Sequence, residues 1–427
     1  MQKLNPAIVM ADSAADPPGE TAATATTVGS LPVGGSEGGP SPSGGKFCVV
    51  ELCDLSEGLL ADWRDLEPFP HNSPHQSLAW CQTWCAAHGG SLLIVRGRTL
   101  DRTVFLLPLS VSSRLGLRIA QFPGGRYNNL NTGLFAEDFQ PGAEEQLHIA
   151  SGLREVLKGR VDLVALEAMP RVWRGRRHAL SDLAGHEHAN HSFQLPLLSS
   201  FEQTLAQVNA KRRRKKFRLQ TRRMEEIGGY HYVTPADHAE SHALLDLFFR
   251  QKAARFRAQG LPDAFAEAAV RQFFHGLLDG WPSGLDHPLM LRAIRLKAGD
   301  EDLVPAIAGL TRKGDHIICQ FGSIDETIVP ETSPGELLFW HMIEEGCRSE
   351  AALFDFGVGD QLYKRSWCPV ETVLYDVVVP ISRLGAMASL GHSAVTQAKA
   401  RIKRHPLAYR LVQRLRSKRQ TVSETAD

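Results

Sequence analysis

The sequence predicts a mixed α/β protein of two domains, each a mostly antiparallel sheet flanked by helices. Three observations carry this expectation. A chain of 427 residues exceeds what one ordinary core supports, so about two or three domains are expected. Short strand-like apolar runs alternate with runs of helical period along most of the length. The composition, 43% hydrophobic and 22% charged, is that of an ordinary globular chain. The net charge of +1 conceals local charge runs, so the whole-chain value excludes no class of partner.

Residues 1–45 are rich in Ala, Thr, Ser, Gly and Pro, a composition that buries too little apolar surface to offset ordering entropy, and they read as a disordered tail. A first domain follows over 46–198. Its expected strands are Phe47 to Leu52, Ser91 to Arg96, Thr103 to Val111, Leu117 to Phe122 and Val161 to Leu166; its helices lie near Leu78 to His88 and Ala143 to Lys158. A second domain over 199–385 opens with a long basic helix and helices at Ala236 to Gln259 and Ala264 to Leu278. Strands follow at Leu289 to Leu296, Leu303 to Thr311, Asp315 to Ile324 and Ala352 to Phe356, with a helix from Pro334 to Cys347 inserted before the last. Residues 386–427 form a basic tail, helical from Val395 to Lys418.

Seven cysteines lie scattered without a paired framework, which points to a reducing compartment. No stretch approaches the roughly 18 apolar residues of a membrane span, and the N-terminus lacks a basic segment leading into an apolar one. A cytoplasmic protein is expected.

The most informative stretch runs Phe354-Asp355-Phe356-Gly357-Val358-Gly359-Asp360-Gln361-Leu362-Tyr363-Lys364-Arg365-Ser366-Trp367. A strand enters a glycine turn bearing two acids, a tyrosine and a lysine. Upstream, Thr332-Ser333-Pro334-Gly335-Glu336 opens an apolar helix. Free N–H groups at such an N-terminus can hold an anion, and a plain capped helix start explains the same letters. The acids serve either as proton acceptors, desolvated at a strand end with a raised pKa, or as ordinary turn residues. Lys211 to Arg223 holds nine Lys or Arg in thirteen positions, yet Phe217, Leu219 and Met224 form no clean stripe, so most of that helix is expected in solvent. In the first domain, Gly124 to Asn131 concentrates polar side chains after a strand, as a cleft lining or as a turn. His178, His186, His188 and His191 share a polar loop without a supporting acid or cysteine pattern, and no metal site is assigned. Cys81 and Cys85, flanking Trp84, read as core.

The second half resembles the acetyltransferase domain of the CelD/BioF2-like (cellulose-biosynthesis) branch of the GNAT superfamily, cousins of the Fem peptidyltransferases. The matching features are Lys211 to Phe217, Phe249 to Gly260, Ser333-Pro334-Gly335, Asp355 to Asp360, Tyr363-Lys364 and Trp367. Helices, then a meander, a helix and a further strand is also the GNAT order. The first half resembles these proteins through Gln76-Ser-Leu-Ala-Trp80 and Trp84. Relatives carry a histidine and a tryptophan where this chain has Gln251 or Lys252 and Phe256, so that helix is assigned packing alone.

The resemblance implies two GNAT-like domains and an acyl-CoA-dependent N- or O-acyltransferase transferring directly to an amine or hydroxyl acceptor, with links to polysaccharide or cell-envelope biosynthesis. Asp360, Tyr363 and Asp355 would be catalytic: Asp360 takes a proton from the acceptor and Tyr363 supplies one to the thiolate. Ser333, Gly335 and Lys364 would bind the acyl-CoA, and Arg126, Tyr127 and Asn128 would touch the acceptor. The thioester would lie along the edge of the strand Leu303 to Thr311. Two rivals stand: a Fem-like transferase using aminoacyl-tRNA, gripped by the basic helix, and a non-catalytic GNAT-fold binding protein. The acceptor and the oligomeric state are not legible.

Overall fold

The computed structural model describes residues 48–100, 102–280, 284–297 and 303–391. The expected tails, residues 1–45 and Val395 to Lys418, lie outside the described residues. The first half runs β1 (Val49–Cys53), α1 (Glu57–Leu66), α2 (Leu78–His88), β2 (Leu93–Arg98), β3 (Thr103–Arg114), β4 (Leu117–Gln121), β5 (Leu134–Phe135), α3 (Ala143–Val156), β6 (Leu163–Pro170), the short hairpin β7 (Val172–Trp173) and β8 (Arg176–Arg177), β9 (Ala184–Glu187) and β10 (Ser192–Pro196). The second half runs α4 (Phe201–Ala206), α5 (Ala210–Glu226), β11 (Tyr230–Val233), α6 (His238–Ala258), α7 (Ala268–Leu278), β12 (His287–Leu296), β13 (Ala306–Lys313), β14 (His316–Ile324), α8 (Pro334–Arg348), β15 (Leu353–Val358), α9 (Leu362–Trp367), β16 (Val370–Thr372) and β17 (Leu374–Pro380).

Local signals account for most boundaries. Helix α2 starts where the Ser77 hydroxyl accepts from the Trp80 N–H and stops at Gly89, whose φ of 64° closes the last turn. Helix α6 is capped by Asp237, which accepts from the Glu240 N–H. Helix α1, absent from the expected elements, is capped by Ser56 and buries Leu59, Trp63 and Leu66 on one face.

The two sheets have the same plan. The first has strand order β1-β2-β3-β4-β6-β17-β9 and the second β11-β12-β13-β14-β15-β10-β16. In each, a four-strand antiparallel meander meets a parallel fifth strand after a crossover helix, α3 or α8. In each, the sixth strand comes from the other half of the chain: β17 lies against β6, and β10 lies against β15. The sheets therefore do not divide at residue 198: Ser192–Pro196 belongs with the second sheet and Leu374–Pro380 with the first. This exchange stitches the halves together by main-chain hydrogen bonds.

Apolar packing unites them further. One core gathers Trp80 and Tyr127 of the first half with Phe248, Phe265, Phe273, Phe274 and Phe321 of the second. Trp80 meets Phe273 edge-on at 5.0 Å between centroids, and Trp84 does the same at 5.1 Å; each such pair adds about 0.5–1.5 kcal/mol beyond area burial.

Candidate functional site

The parallel pair β14–β15 is short. It holds register at His316↔Leu353, Ile317↔Phe354 and Ile318↔Asp355 and then ends. On its other side β14 pairs with β13, where the register steps from Gly309↔Phe321 to Leu310↔Cys319, so Gln320 is a bulged extra residue. Bulges bend a strand and re-aim its side chains. The far edge of β15 is held by β10. Beyond Ile318 and Asp355 the two strands therefore present a split in the sheet. The strand expected to offer its edge to the thioester, Leu303 to Thr311, does not do so: β13 is paired on both sides, with β12 and β14. The free edge belongs to β14.

A side chain from the first half enters this split. Asn129 Oδ1 accepts from the Val358 N–H at 3.0 Å, and its Nδ2 donates to Gln320 Oε1 at 2.7 Å. Gly357, with φ of 73°, makes room, because a Cβ there would overlap Asn129 Oδ1. Gln320 Nε2 donates to His75 Nε2 at 2.8 Å, and His75 Nδ1 lies 2.8 Å from the Leu130 carbonyl. A carbonyl only accepts, so the proton of His75 sits on Nδ1 and Nε2 is the acceptor. Every partner in the relay is matched. Burial holds His75 neutral, with its pKa lowered to about 4.

Two buried lysines stand beside the split. Lys364 donates to the Gly357 and Val358 carbonyls at 3.1 and 2.9 Å, and burial lowers its pKa to about 8. It thus turns inward to pin the end of β15. Lys252 of α6 is 2% exposed; burial, reinforced by Arg255, brings it to about 7. Both lysines bias the Cys319 thiol, which burial nonetheless pushes up to about 12. Near neutral pH Lys252 is partly an amine, a proton acceptor in a dry setting. From sequence, its helix carried an expectation of packing alone.

Asp355 is fully buried and accepts from Ser192 Oγ at 3.0 Å, Gln194 Nε2 at 3.1 Å and the Gly357 N–H at 2.7 Å. Burial alone would raise its pKa, but the His316 ring 3.6 Å away, the Gly357 N–H and Gln194 together bring it below the ordinary carboxylate value. The expected raised pKa is thus corrected: Asp355 is an ionised anchor of the β10–β15 seam. Asp360 lies at the surface, 2.5 Å from Arg365 Nε, within an ionic chain that continues through Glu371 to His191. Tyr363 is half-buried, its ring stacked on Phe339 at 5.3 Å and tilted against Phe356.

At the start of α8, Ser333 adopts φ 51° and ψ 60° and gives no side-chain cap. Gly335 is required by packing, since a Cβ would overlap Ile324. Helix α5 covers this end: Arg213 and Lys216 pair with Glu336, and Gln220 Nε2 donates to the Ser333 carbonyl at 3.3 Å. Arg213 also lies 3.8 Å over the Trp367 ring. The packed face of α5 is Arg213, Phe217, Gln220 and Met224, a stripe at helical spacing partly built of polar residues. Lys211, Arg212, Lys215, Arg218 and Arg222 face solvent.

In the first-half loop, Tyr127 OH donates to the Ala264 carbonyl at 2.6 Å, and Arg126 reaches the same carbonyl at 2.9 Å. Asn128 accepts from Trp80 Nε1 at 3.1 Å and donates to the Pro123 carbonyl at 2.8 Å. The structure thus uses Arg126 and Tyr127 to seat the loop against the second half and Asn128 to brace it within the first, while their neighbour Asn129 reaches the split. Of the four loop histidines, His178 is buried against the Thr132 carbonyl, His188 pairs with Asp376, and His191 pairs with Glu187 and Glu371. Cys81 is fully buried and Cys85 partly so.

Residues 211–365 match the acetyltransferase (GNAT) domain family, so this part of the chain is similar to an acyltransferase domain. No curated protein matches. Among solved structures, the crystal structure of FemX superposes with a TM-score of 0.54 at 11% identity, covering 78% of this chain and 96% of that one; it shares the fold. A tandem GNAT protein from the clavulanic acid biosynthesis pathway gives a TM-score of 0.44 at 11% identity, covering 78% and 99%. The C-terminal domain of a putative lysylphosphatidylglycerol synthetase from Agrobacterium fabrum gives 0.48 at 10% identity, covering 79% and 95%.

Proposed function

We propose that the protein transfers an acyl group from acyl-CoA directly to an amine or hydroxyl acceptor, with the thioester in the split between β14 and β15. The observation that carries this reading is the parallel pair that stops after three register positions at the Gln320 bulge, beside two buried lysines. A free strand edge there aligns the donor by main-chain hydrogen bonds, and the Gly335 N–H at the start of α8, which follows β14, is offered to the phosphates, the Glu336 and Leu337 amides being spent on the Ser333 carbonyl. Lys252, partly neutral near pH 7, takes the proton from the acceptor as it attacks the thioester carbonyl. The C–S bond then breaks, and Tyr363 protonates the departing thiolate. Asp360 serves the mouth of the site through its pairing with Arg365 rather than as the base. No step uses Cys319, whose thiol is fully protonated at neutral pH, so Cys319→Ser keeps activity.

The assignment to the CelD/BioF2-like branch, and with it a polysaccharide or cell-envelope acceptor, rests on the sequence resemblance. A cytoplasmic location is supported by the thiols of Cys48, Cys53, Cys81, Cys85, Cys319, Cys347 and Cys368, all unpaired. Among the described residues no helix is long and apolar enough to cross a membrane.

One observation favours a second reading: the five solvent-facing cations of α5, beside the α8 N-terminus, suit a phosphate backbone, as an aminoacyl-tRNA donor would require. Calorimetric titration separates the two. Saturable acetyl-CoA binding, weakened by Gly357→Ala, supports the acyl-CoA reading; tRNA binding with steep salt dependence and no response to acyl-CoA replaces it.

A further inference from the structure

A cluster of histidines and acids lies apart from the split, where α6 and α7 run side by side. His238, His242 and Asp246 succeed one another at four-residue spacing on α6, while His275 and Asp279 do so at the end of α7. His242 Nε2 lies 2.8 Å from Asp279 Oδ1, and His238 Nδ1 lies 3.7 Å from the same oxygen. His242 Nδ1 faces His275 Nδ1 at 2.6 Å, and His275 Nε2 lies 3.0 Å from Asp246 Oδ1.

Counting protons exposes a deficit. Carboxylates only accept, so the contacts to Asp279 and Asp246 each require an N–H on the facing Nε2. Neutral imidazoles carry one N–H each, and both would then be spent. The two Nδ1 atoms would face each other as bare lone pairs at 2.6 Å. A proton on one ring or a cation on His242 Nε2 each resolves that clash, and the position of His238 Nδ1 beside the same Asp279 oxygen points to the cation.

We infer that His238, His242 and Asp279 bind a divalent transition ion of the zinc class. With His242 Nε2 on the metal, its N–H moves to Nδ1 and donates to His275 Nδ1. His275 then donates from Nε2 to Asp246, and every contact is satisfied with neutral rings. A ligating histidine whose second nitrogen is fixed through a hydrogen-bond chain ending on a carboxylate is the usual outer support of such sites. The three ligand atoms lie within 4.8 Å of one another; bonds of about 2.0–2.1 Å place tetrahedral ligand atoms roughly 3.4 Å apart, within reach of small side-chain movements. Imidazole and carboxylate donors suit zinc, and the fourth position is left for water or an external group. Asp279 also caps the C-terminal end of α7, where the helix dipole favours a cation. The ion clips together α6, which carries Lys252, and α7, which packs on Trp80.

The test is equilibrium titration of the metal-stripped full chain with Zn2+, and with Co2+ as a spectroscopic probe, for the parent, His242→Ala, Asp279→Asn and the exposed control His88→Ala. The expected result is one ion per chain, a raised melting temperature with Zn2+, and at least tenfold weaker binding in His242→Ala and Asp279→Asn but not in His88→Ala. Asp279→Asn is a near-isosteric surface change, and its melting curve in chelator should match the parent's. Absence of stoichiometric binding by the parent, or binding that both variants leave intact, overturns the inference.

Discussion

The two sheets place the same junction in two different environments. In the first, the parallel pair β4–β6 holds register at Ile119↔Leu163 and Ala120↔Val164, and the chain's own loop closes the gap beyond it: the Asn131 N–H donates to the Ala168 carbonyl at 3.1 Å, and Asn131 Nδ2 to the Glu167 carbonyl at 2.9 Å. In the second, the gap beyond β14–β15 is reached by a residue of the other half, Asn129, and flanked by Lys252 and Lys364, both shifted toward neutrality by burial. One junction is closed by amides that only hold structure; the other keeps groups able to exchange protons near neutral pH. The first half thereby acts as a wedge that completes the second.

The largest effect should come from Lys252→Met. Removing a proton acceptor costs about 10²–10³-fold in turnover, read as CoA thiol release with an acceptor that supports transfer. Stability should move the opposite way. Lys252 titrates near 7 when folded and near 10.4 when unfolded, so the unfolded chain binds more protons between those values. Stability of the parent therefore rises with pH from about 7 to about 10, and the burial cost is complete below 7. Lys252→Met removes this slope and raises stability at pH 7 by on the order of 3 kcal/mol, checked by denaturant titration at pH 7 and 9.5.

Gly357→Ala comes next. A left-handed backbone and the close approach of Asn129 make it cost about 2–4 kcal/mol, and donor binding weakens with it. A paired comparison then separates the two junctions: Asn131→Ala and Asn129→Ala each cost about 1–3 kcal/mol through unmatched buried partners, but only Asn129→Ala changes acyl-CoA affinity. The smallest effect belongs to Asp360→Asn. Breaking an exposed ion pair costs about 0–1 kcal/mol, and turnover stays within about twofold; a large loss would return the base role to Asp360.

Elements written in local periodicity were legible. Leu78 to His88 has the expected bounds, and the expected helix from Ala143 and strand from Thr103 begin where the structure begins them. Which sheet a strand joins was not legible: Ser192–Pro196 and Leu374–Pro380 are short apolar runs whose partners lie about 160 and 210 residues away in sequence, and alternation carries no information at that range. The turn after Phe354 stands out in the sequence and lies at the split, yet the charge state of Asp355 depends on Ser192 and Gln194 of the exchanged strand. The loop Gly124 to Asn131 stands out as well, but period and composition do not say which of its side chains points into the split, and the answer was one residue further along. Lys252 was readable as a letter and not as a buried amine, because its desolvation is created by tertiary packing. The pair His238 and His242 drew no expectation from the sequence, and Asp279 joins them only through the packing of α7.

Hydrogen exchange with and without acetyl-CoA tests the central claim, that one junction is a site and the other a scaffold. The account expects added protection over residues 319–324 and 356–359, with residues 119–122 and 164–168 unchanged. Protection in the first junction, or none in the second under saturating acetyl-CoA, would contradict it.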